Sequence, residues 1–560
     1  MGDTFGSGRM RSLVSARLAL SLALCVAGPG AVGAQEPALG QLSFPTSGKP
    51  SAQRPFIRGV LYLHSFEYDS AAAQFRAAQR LDPGFAMAYW GEAMTYTHPV
   101  WMQQDAAAAR AVLARMARTR EARRAKAPTD REKRYLDAVE ILYGEGGKER
   151  RDTLYSREME RLSADFPKDD EARSFFALSL LGLLQHGRDT RNYMRAASLM
   201  QDVFARNPRH PGAAHYIIHA FDDPDHAPLG LPAARAYGRI APGAGHALHM
   251  TSHIFVATGM WDDVIEANVA AWKAVNRRDG HYTQWLAYGY LQQGRYREAE
   301  RFVRDIIAAT AAAPSPYNVG YRNLMLAAWL VETEGWNTPL ARFALDSVPA
   351  RELAGGSVSE TDALQFAVAW TRLQGTDDVA PARAAGSAIG EHIAAARRGD
   401  AQRYIPWVGA SDVMATMLAA AVRQREGKVD SALVLARQAA EKDESYPYEF
   451  GPPESVKPPR EYLGELLLAA KRPHEARAEF ERALRKAPNR SRSLLGIARS
   501  FAASDDRPMA AAYYARFRAN WARGDGGQPE VTEAERYLAG SETGAADGRG
   551  AVVSARRTRR

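Results

Sequence analysis

Imidazole is the one reactive side chain that this sequence concentrates. His210, His215, His219, His226, His246, His249 and His253 are seven of its thirteen histidines, and they crowd into a single stretch. Two pairs recur there, His215 with His219 and His249 with His253, each of the form His-x-x-x-His, the second 34 residues after the first. On a helix, residues four apart share a face, with Cβ atoms about 5–6 Å apart. Packed neighbouring helices run about 8–10 Å from axis to axis. Four imidazoles inside those limits can converge on one cation at metal–nitrogen distances of about 2.0–2.1 Å, or hold two. Ligation by imidazole suits zinc, copper, nickel or iron. We therefore expect His215, His219, His249 and His253 to be metal ligands.

Other residues fall in step with this set. His281 follows His246 by 35 residues, the same interval that separates Gly259 from Gly294. His64 and His98 are 34 apart. His226 closes the acidic loop Asp222-Asp223-Pro224-Asp225-His226, whose carboxylates can accept the ring N–H of a metal-binding histidine and so orient it. Trp90, with Met87 and Met94, takes the corresponding places of an earlier unit, and Glu461 and Glu465 take them in a late one. His98, His226, His246, His281, Trp90, Glu461 and Glu465 are accordingly expected to line the binding site.

The elements that position these residues follow from a repeat. Gly59, Ala71, Phe75, Ala78 and Pro83 fall at offsets 0, 12, 16, 19 and 24, and Gly464, Ala476, Phe480, Ala483 and Pro488 fall at the same offsets. Gly294-Arg295-Tyr296 and Gly427-Lys428-Val429 read as turns between paired helices, and Pro208 and Pro242 close successive units. Sustained period-two alternation is absent, which argues against strands. In this register Leu248, Thr251, Ser252 and Phe255 pack on the second helix of their pair, as Ala214, Ile217, Ile218 and Phe221 do one unit earlier. His246, His249 and His253 point about 140° away from that face, at about 100° per residue. Glu92 falls on the packed face, where a carboxylate needs a partner.

This spacing resembles the tetratricopeptide repeat (TPR) family. The resemblance implies an all-α, TPR-like helix-turn-helix superhelix, or α-solenoid, in which the histidine places line the concave groove. The blocks Tyr89-Trp90-Gly91-Glu92-Ala93-Met94, Ser252-His253-Ile254-Phe255, Leu291-Gln292-Gln293-Gly294-Arg295 and Glu449-Phe450-Gly451-Pro452-Pro453 are similar to those of a group of secreted bacterial TPR proteins. That likeness implies export rather than an activity. The last block is stiff enough to cap the groove, or simply to stop a helix.

Export is also expected from the N-terminus. Arg9, Arg11 and Arg17 precede an apolar run from Leu18 to Ala27, and Val32-Gly33-Ala34 offers small residues to a signal peptidase. Residues 1–34 thus read as a cleaved signal peptide, giving a periplasmic or secreted protein. The single cysteine, Cys25, falls inside that signal, so the mature chain has no thiolate chemistry. No later window is apolar enough for a transmembrane segment. The formal charge is +9, but basic and acidic residues are interspersed, so nucleic acid is not the expected partner.

The expected organisation is a linker over 35–54, an N-terminal array with the histidine-lined groove over 55–310, and degenerate helical repeats over 311–440. A C-terminal TPR pair over 441–525 and a short helix with a disordered tail over 526–560 complete it. The function expected is an exported binding or scaffold protein. It would engage a protein, a peptide or a small ligand in its groove through the histidine cluster, with a transition metal as the ion those residues suit. The alternatives are a metalloenzyme using the same cluster, or a peptide-binding adaptor without metal. No His-Glu-x-x-His, glycine-rich phosphate loop or nucleophile elbow points to a reaction class, so catalysis is not the leading expectation.

Overall fold

The computed structural model describes residues 37–275, 280–347, 358–399 and 406–540. The expected signal peptide and the final twenty residues lie outside them. From Ala38 onward the chain is one unit built of successive antiparallel helices. The only strands among the described residues are the two-residue rungs Thr97–His98 and Gln103–Gln104.

The TPR-like pairing rests on one aromatic wedge, made twice. Phe75, on the helix Tyr68–Leu81, is fully buried. A Cβ on Gly59 would approach its ring to 2.7 Å and one on Gly91 to 2.3 Å. The ring thus sits in a slot between its own partner helix, Pro50–His64, and the next, Ala86–Met94. Phe480, on Pro473–Lys486, repeats this against Gly464 and Gly496 at 2.9 and 2.4 Å. The shared offsets in the sequence are therefore shared packing. Glu92 is buried as expected, and Arg115, Arg76 and Gln79 supply its partners.

Helical pairs continue through 311–440, from Pro316–Thr333 to Val429–Ser445, although the repeat spacing fades there. The stretch expected as a linker, 35–54, departs from expectation over its described part. It is a strap followed by the first turns of the helix Pro50–His64. The Gln41 amide donates to the Arg209 carbonyl at 2.8 Å, and Leu39 and Phe44 are buried. The reason is apolar area: Phe44 packs edge-on to Trp90 at 5.7 Å and fills the groove at that repeat. A short helix follows over 529–540.

The superhelix closes on itself. Gly259 has φ of +68°, and a Cβ there would lie 2.2 Å from the Pro488 carbonyl oxygen, so only glycine admits this approach. Asn489 Nδ2 donates to the Gly259 carbonyl at 2.9 Å, and Trp261 Nε1 to that of Asn489 at 2.9 Å. Arg490, fully buried, bonds Glu461 through Nε at 2.8 Å, Glu332 at 2.6 Å and the Tyr288 hydroxyl at 2.9 Å. Trp521 Nε1 reaches the Gln292 carbonyl at 3.0 Å.

Two outcomes follow from this packing. Gly91→Ala should lower stability by about 1–3 kcal/mol, read as a shifted urea midpoint with an unchanged slope, because the Phe75 slot has no room to relax. Burial pushes the Glu461 carboxyl up, but Arg490 and Lys457 overrule it and hold it down at about 2, against 4.5 when free. As pH falls through that window the unfolded chain takes up a proton that the folded chain refuses, so stability drops. Urea midpoints measured from pH 4.5 to pH 2 should fall more gently in Glu461→Gln than in the wild type.

Candidate metal centre

Three consecutive first helices of the pairs carry the histidines: Pro211–Ala220, Gly245–Thr258 and Gly280–Gln292. Two turn-forming residues set the first two. His210 caps Pro211–Ala220, its Nδ1 accepting the Ala213 amide at 3.1 Å, and Gly259 ends Gly245–Thr258 in the left-handed conformation. With helix ends fixed this way, the His-x-x-x-His pairs come into register.

Five imidazoles form a closed ring. Successive centroids are 4.8 Å (His215 to His219), 5.8 Å (His219 to His253), 5.1 Å (His253 to His249), 6.1 Å (His249 to His246) and 5.2 Å (His246 to His215). His281 joins at 4.5 Å from His249. Two donor triads result, His215–His219–His246 and His249–His253–His281, and in each the ligand-capable atoms lie within 4.8 Å of one another. A further triad, His219–Asp222–His253, spans the two. The expected set of four is thus redistributed: its two pairs enter different triads, and His246 and His281 complete them.

Hydrogen bonds fix the tautomers. His215 Nδ1 faces the His64 carbonyl at 2.6 Å, His249 Nδ1 faces Asn268 Oδ1 at 2.7 Å, and His253 Nδ1 faces Asp222 Oδ2 at 2.5 Å. Each partner is an acceptor; Asn268 is oriented by its own donation from Nδ2 to the Val264 carbonyl at 2.8 Å. In the neutral rings of His215 and His249 the proton therefore sits on Nδ1, which leaves the lone pair on Nε2. This is the outer-shell arrangement that orients metal-binding histidine. Burial, reinforced by the neighbouring rings, pushes His215, His219, His246 and His249 well below the ordinary imidazole value, which keeps those rings neutral. Nε2 of His215, of His219 and of His246, and Oδ1 of Asp222, are buried without a hydrogen-bond partner.

The rings do not line an open groove as expected. Phe66 covers one side, 4.2 Å from His215, held in the left-handed conformation at φ +55° that costs a non-glycine residue strain. Phe450 covers the other, 4.9 Å from His253, and Trp285 stacks on His253 at 4.3 Å. Gly451, at φ +103°, lets the Phe450 segment pass Trp285, since a Cβ would lie 2.6 Å from the indole. The Glu449–Pro453 block is thus a cap, one of its two expected roles.

The remaining expected site residues lie elsewhere, each for a definite reason. His98 stacks on Tyr68 at 3.9 Å and bonds the Thr95 carbonyl. His226 bonds Asp223, which is itself paired with Arg188, and so stabilises a turn. Trp90 is core, beneath Phe44, Tyr135 and Phe175. Glu461 serves Arg490 in the ion network that closes the superhelix, and Glu465 serves Lys457 at 2.8 Å, a local pair. Two residues were missed. Asn268 is a polar residue on the buried stripe of Trp261–Ala274, and that misfit was its signal. Glu171 bridges His64 at 2.6 Å and His210 at 3.0 Å. That third cluster is self-satisfied, since Tyr216 and Ala213 serve the other ring nitrogens.

No family model matches the chain, and no curated protein does. Among solved structures it is similar to the human IFIT1 dimer with m7Gppp-AAAA, at 13% identity over 85% of this chain and 91% of that one, with a TM-score of 0.38. It is similar also to the human IFIT1 dimer with PPP-AAAA, at 13% identity over 84% and 90%, with a TM-score of 0.37. At such scores the backbones diverge too far for one site to be transferred to the other.

The hydrogen-bond pattern makes a spectroscopic prediction. In long-range proton–nitrogen spectra of chelator-treated protein, His215 and His249 should show the Nδ1–H tautomer, with Nε2 resonating as an unprotonated nitrogen. An Nε2–H tautomer at His215 would contradict the geometry.

Proposed function

We propose that this chain is an exported helical-repeat protein that binds transition-metal ions in its imidazole chamber and acts by binding rather than by catalysis. One observation carries the reading. His215, His219 and His246 bring ring nitrogens within 4.8 Å of one another, and the buried Nε2 of each lacks any hydrogen-bond partner. Buried polar atoms are nearly always paired, and each orphan costs about 1–3 kcal/mol. A cation bound to all three lone pairs removes that cost. The donor set, imidazole with one nearby carboxylate, suits zinc, copper, nickel or iron, and the His215 Nδ1 bond to the His64 carbonyl orients one of its rings.

Enclosure favours an ion over a peptide. A peptide-binding wall must be open to its ligand, whereas these rings are buried beneath Phe66 and Phe450. Export rests on the composition of residues 1–34, and a periplasmic or secreted location goes with it. No helix among the described residues is long and apolar enough to cross a membrane. Nucleic acid is not part of this reading, because the basic residues are interspersed with acids.

Untagged protein, purified without immobilised metal, should carry stoichiometric transition metal by elemental analysis. The double variant His215→Ala, His246→Ala should lose that metal while keeping its helical circular dichroism. Chelation should lower the wild-type melting temperature, because a ligand bound only to the folded state stabilises it. Metal-free wild-type protein that also takes up no added zinc, copper, nickel or iron would end this reading.

A further inference from the structure

We infer that the chamber holds two cations, one on His215, His219 and His246 and one on His249, His253 and His281, with the Asp222 carboxylate joining them. The inference rests on the metal reading above and deepens it.

The first argument is the approach of two ring nitrogens. His249 Nδ1 faces Asn268 and His253 Nδ1 faces Asp222, and their Nε2 atoms come within 3.2 Å of each other. At that distance either a proton or a metal ion lies between them. With metal–nitrogen bonds of about 2.0–2.1 Å, two ligands of a tetrahedral ion stand about 3.3 Å apart. The observed separation matches that edge. A shared proton serves two nitrogens, whereas a metal ion also takes up the third ring that His281 brings within reach of both.

The second argument is separation. No donor triad within 4.8 Å among the described residues mixes His215 or His246 with His249, His253 or His281. An ion with bonds of about 2.1 Å spans at most about 4.2 Å between opposite ligands, so one ion serves one triad. The link between the two is Asp222. Its Oδ2 accepts the His253 proton at 2.5 Å, and its Oδ1 is buried and unpartnered. Asp222 also shares a donor triad with His219 and His253. One oxygen is therefore committed to orienting a ligand of the second ion, and the other is left for the first. Glu67, whose Oε1 accepts the His246 amide at 3.1 Å, adds negative charge at the first triad.

The test is a stoichiometry. Full-length chelator-stripped protein is titrated with Co2+, followed by visible absorbance, and the retained cobalt is counted after free ion is removed; Zn2+ is run in parallel. Two equivalents are expected in the wild type and one each in His281→Ala and His246→Ala. His281 is only half-buried, so its removal disturbs packing least. One equivalent in the wild type, lost in His246→Ala but kept in His281→Ala, overturns the two-ion centre and leaves the metal reading standing. One equivalent in the wild type with a proton shared between His249 and His253 does the same. No uptake of either ion overturns this inference, and the metal reading falls as well if copper, nickel and iron also fail to bind. If His281→Ala does not fold, the wild-type count alone decides.

Discussion

The approach of Asn489 to Gly259 is the contact on which the rest of the molecule depends. A linear solenoid exposes its concave face, and a histidine there is an ordinary wetted wall residue. Here the last repeats return to the middle of the chain, and Arg490 is buried among Glu461, Glu332 and Tyr288. Removing one partner from such a buried ion network costs about 3–5 kcal/mol, because the charge left behind stays buried without compensation. Closure carries the Glu449–Pro453 block over the histidines and turns a groove into an enclosed chamber. Desolvation of the rings, the property that gives their lone pairs chemical meaning, is completed on the Phe450 side by this long-range contact, as Phe66 provides it on the other.

Much of this was legible in the sequence because a repeat converts spacing into direction. The shared offsets at Gly59 and Gly464 announced the Phe75 and Phe480 wedges, and the 34-residue interval between the two histidine pairs placed them on neighbouring helices. Their common face followed from helical periodicity alone. His246 and His281 were placed in the right neighbourhood by the same arithmetic, although their membership of separate triads needed coordinates.

What escaped was whatever depended on partners far away in sequence. Trp90 occupies a groove position, yet Phe44 from the N-terminal strap fills that groove and makes it core. Glu461 and Glu465 sit at ligand-like places, but the salt bridges of Arg490 and Lys457 claim them. His98 and His226 found local partners, in Tyr68 and Asp223, that spacing rules do not see. Asp222 was visible only as part of an acidic loop; its alignment on His253 depends on how one helix pair crosses the next.

The chamber's two lids come from opposite ends of the chain. Phe66 and all six imidazoles lie upstream of residue 282, whereas Phe450 and the Asn489 latch lie far downstream. A chain that folds as it emerges would assemble the histidine-bearing helices while the Phe450 side still faced water, and would seal them only when the C-terminal repeats docked. Folding in that order would give the rings a period of open access that the closed molecule does not offer.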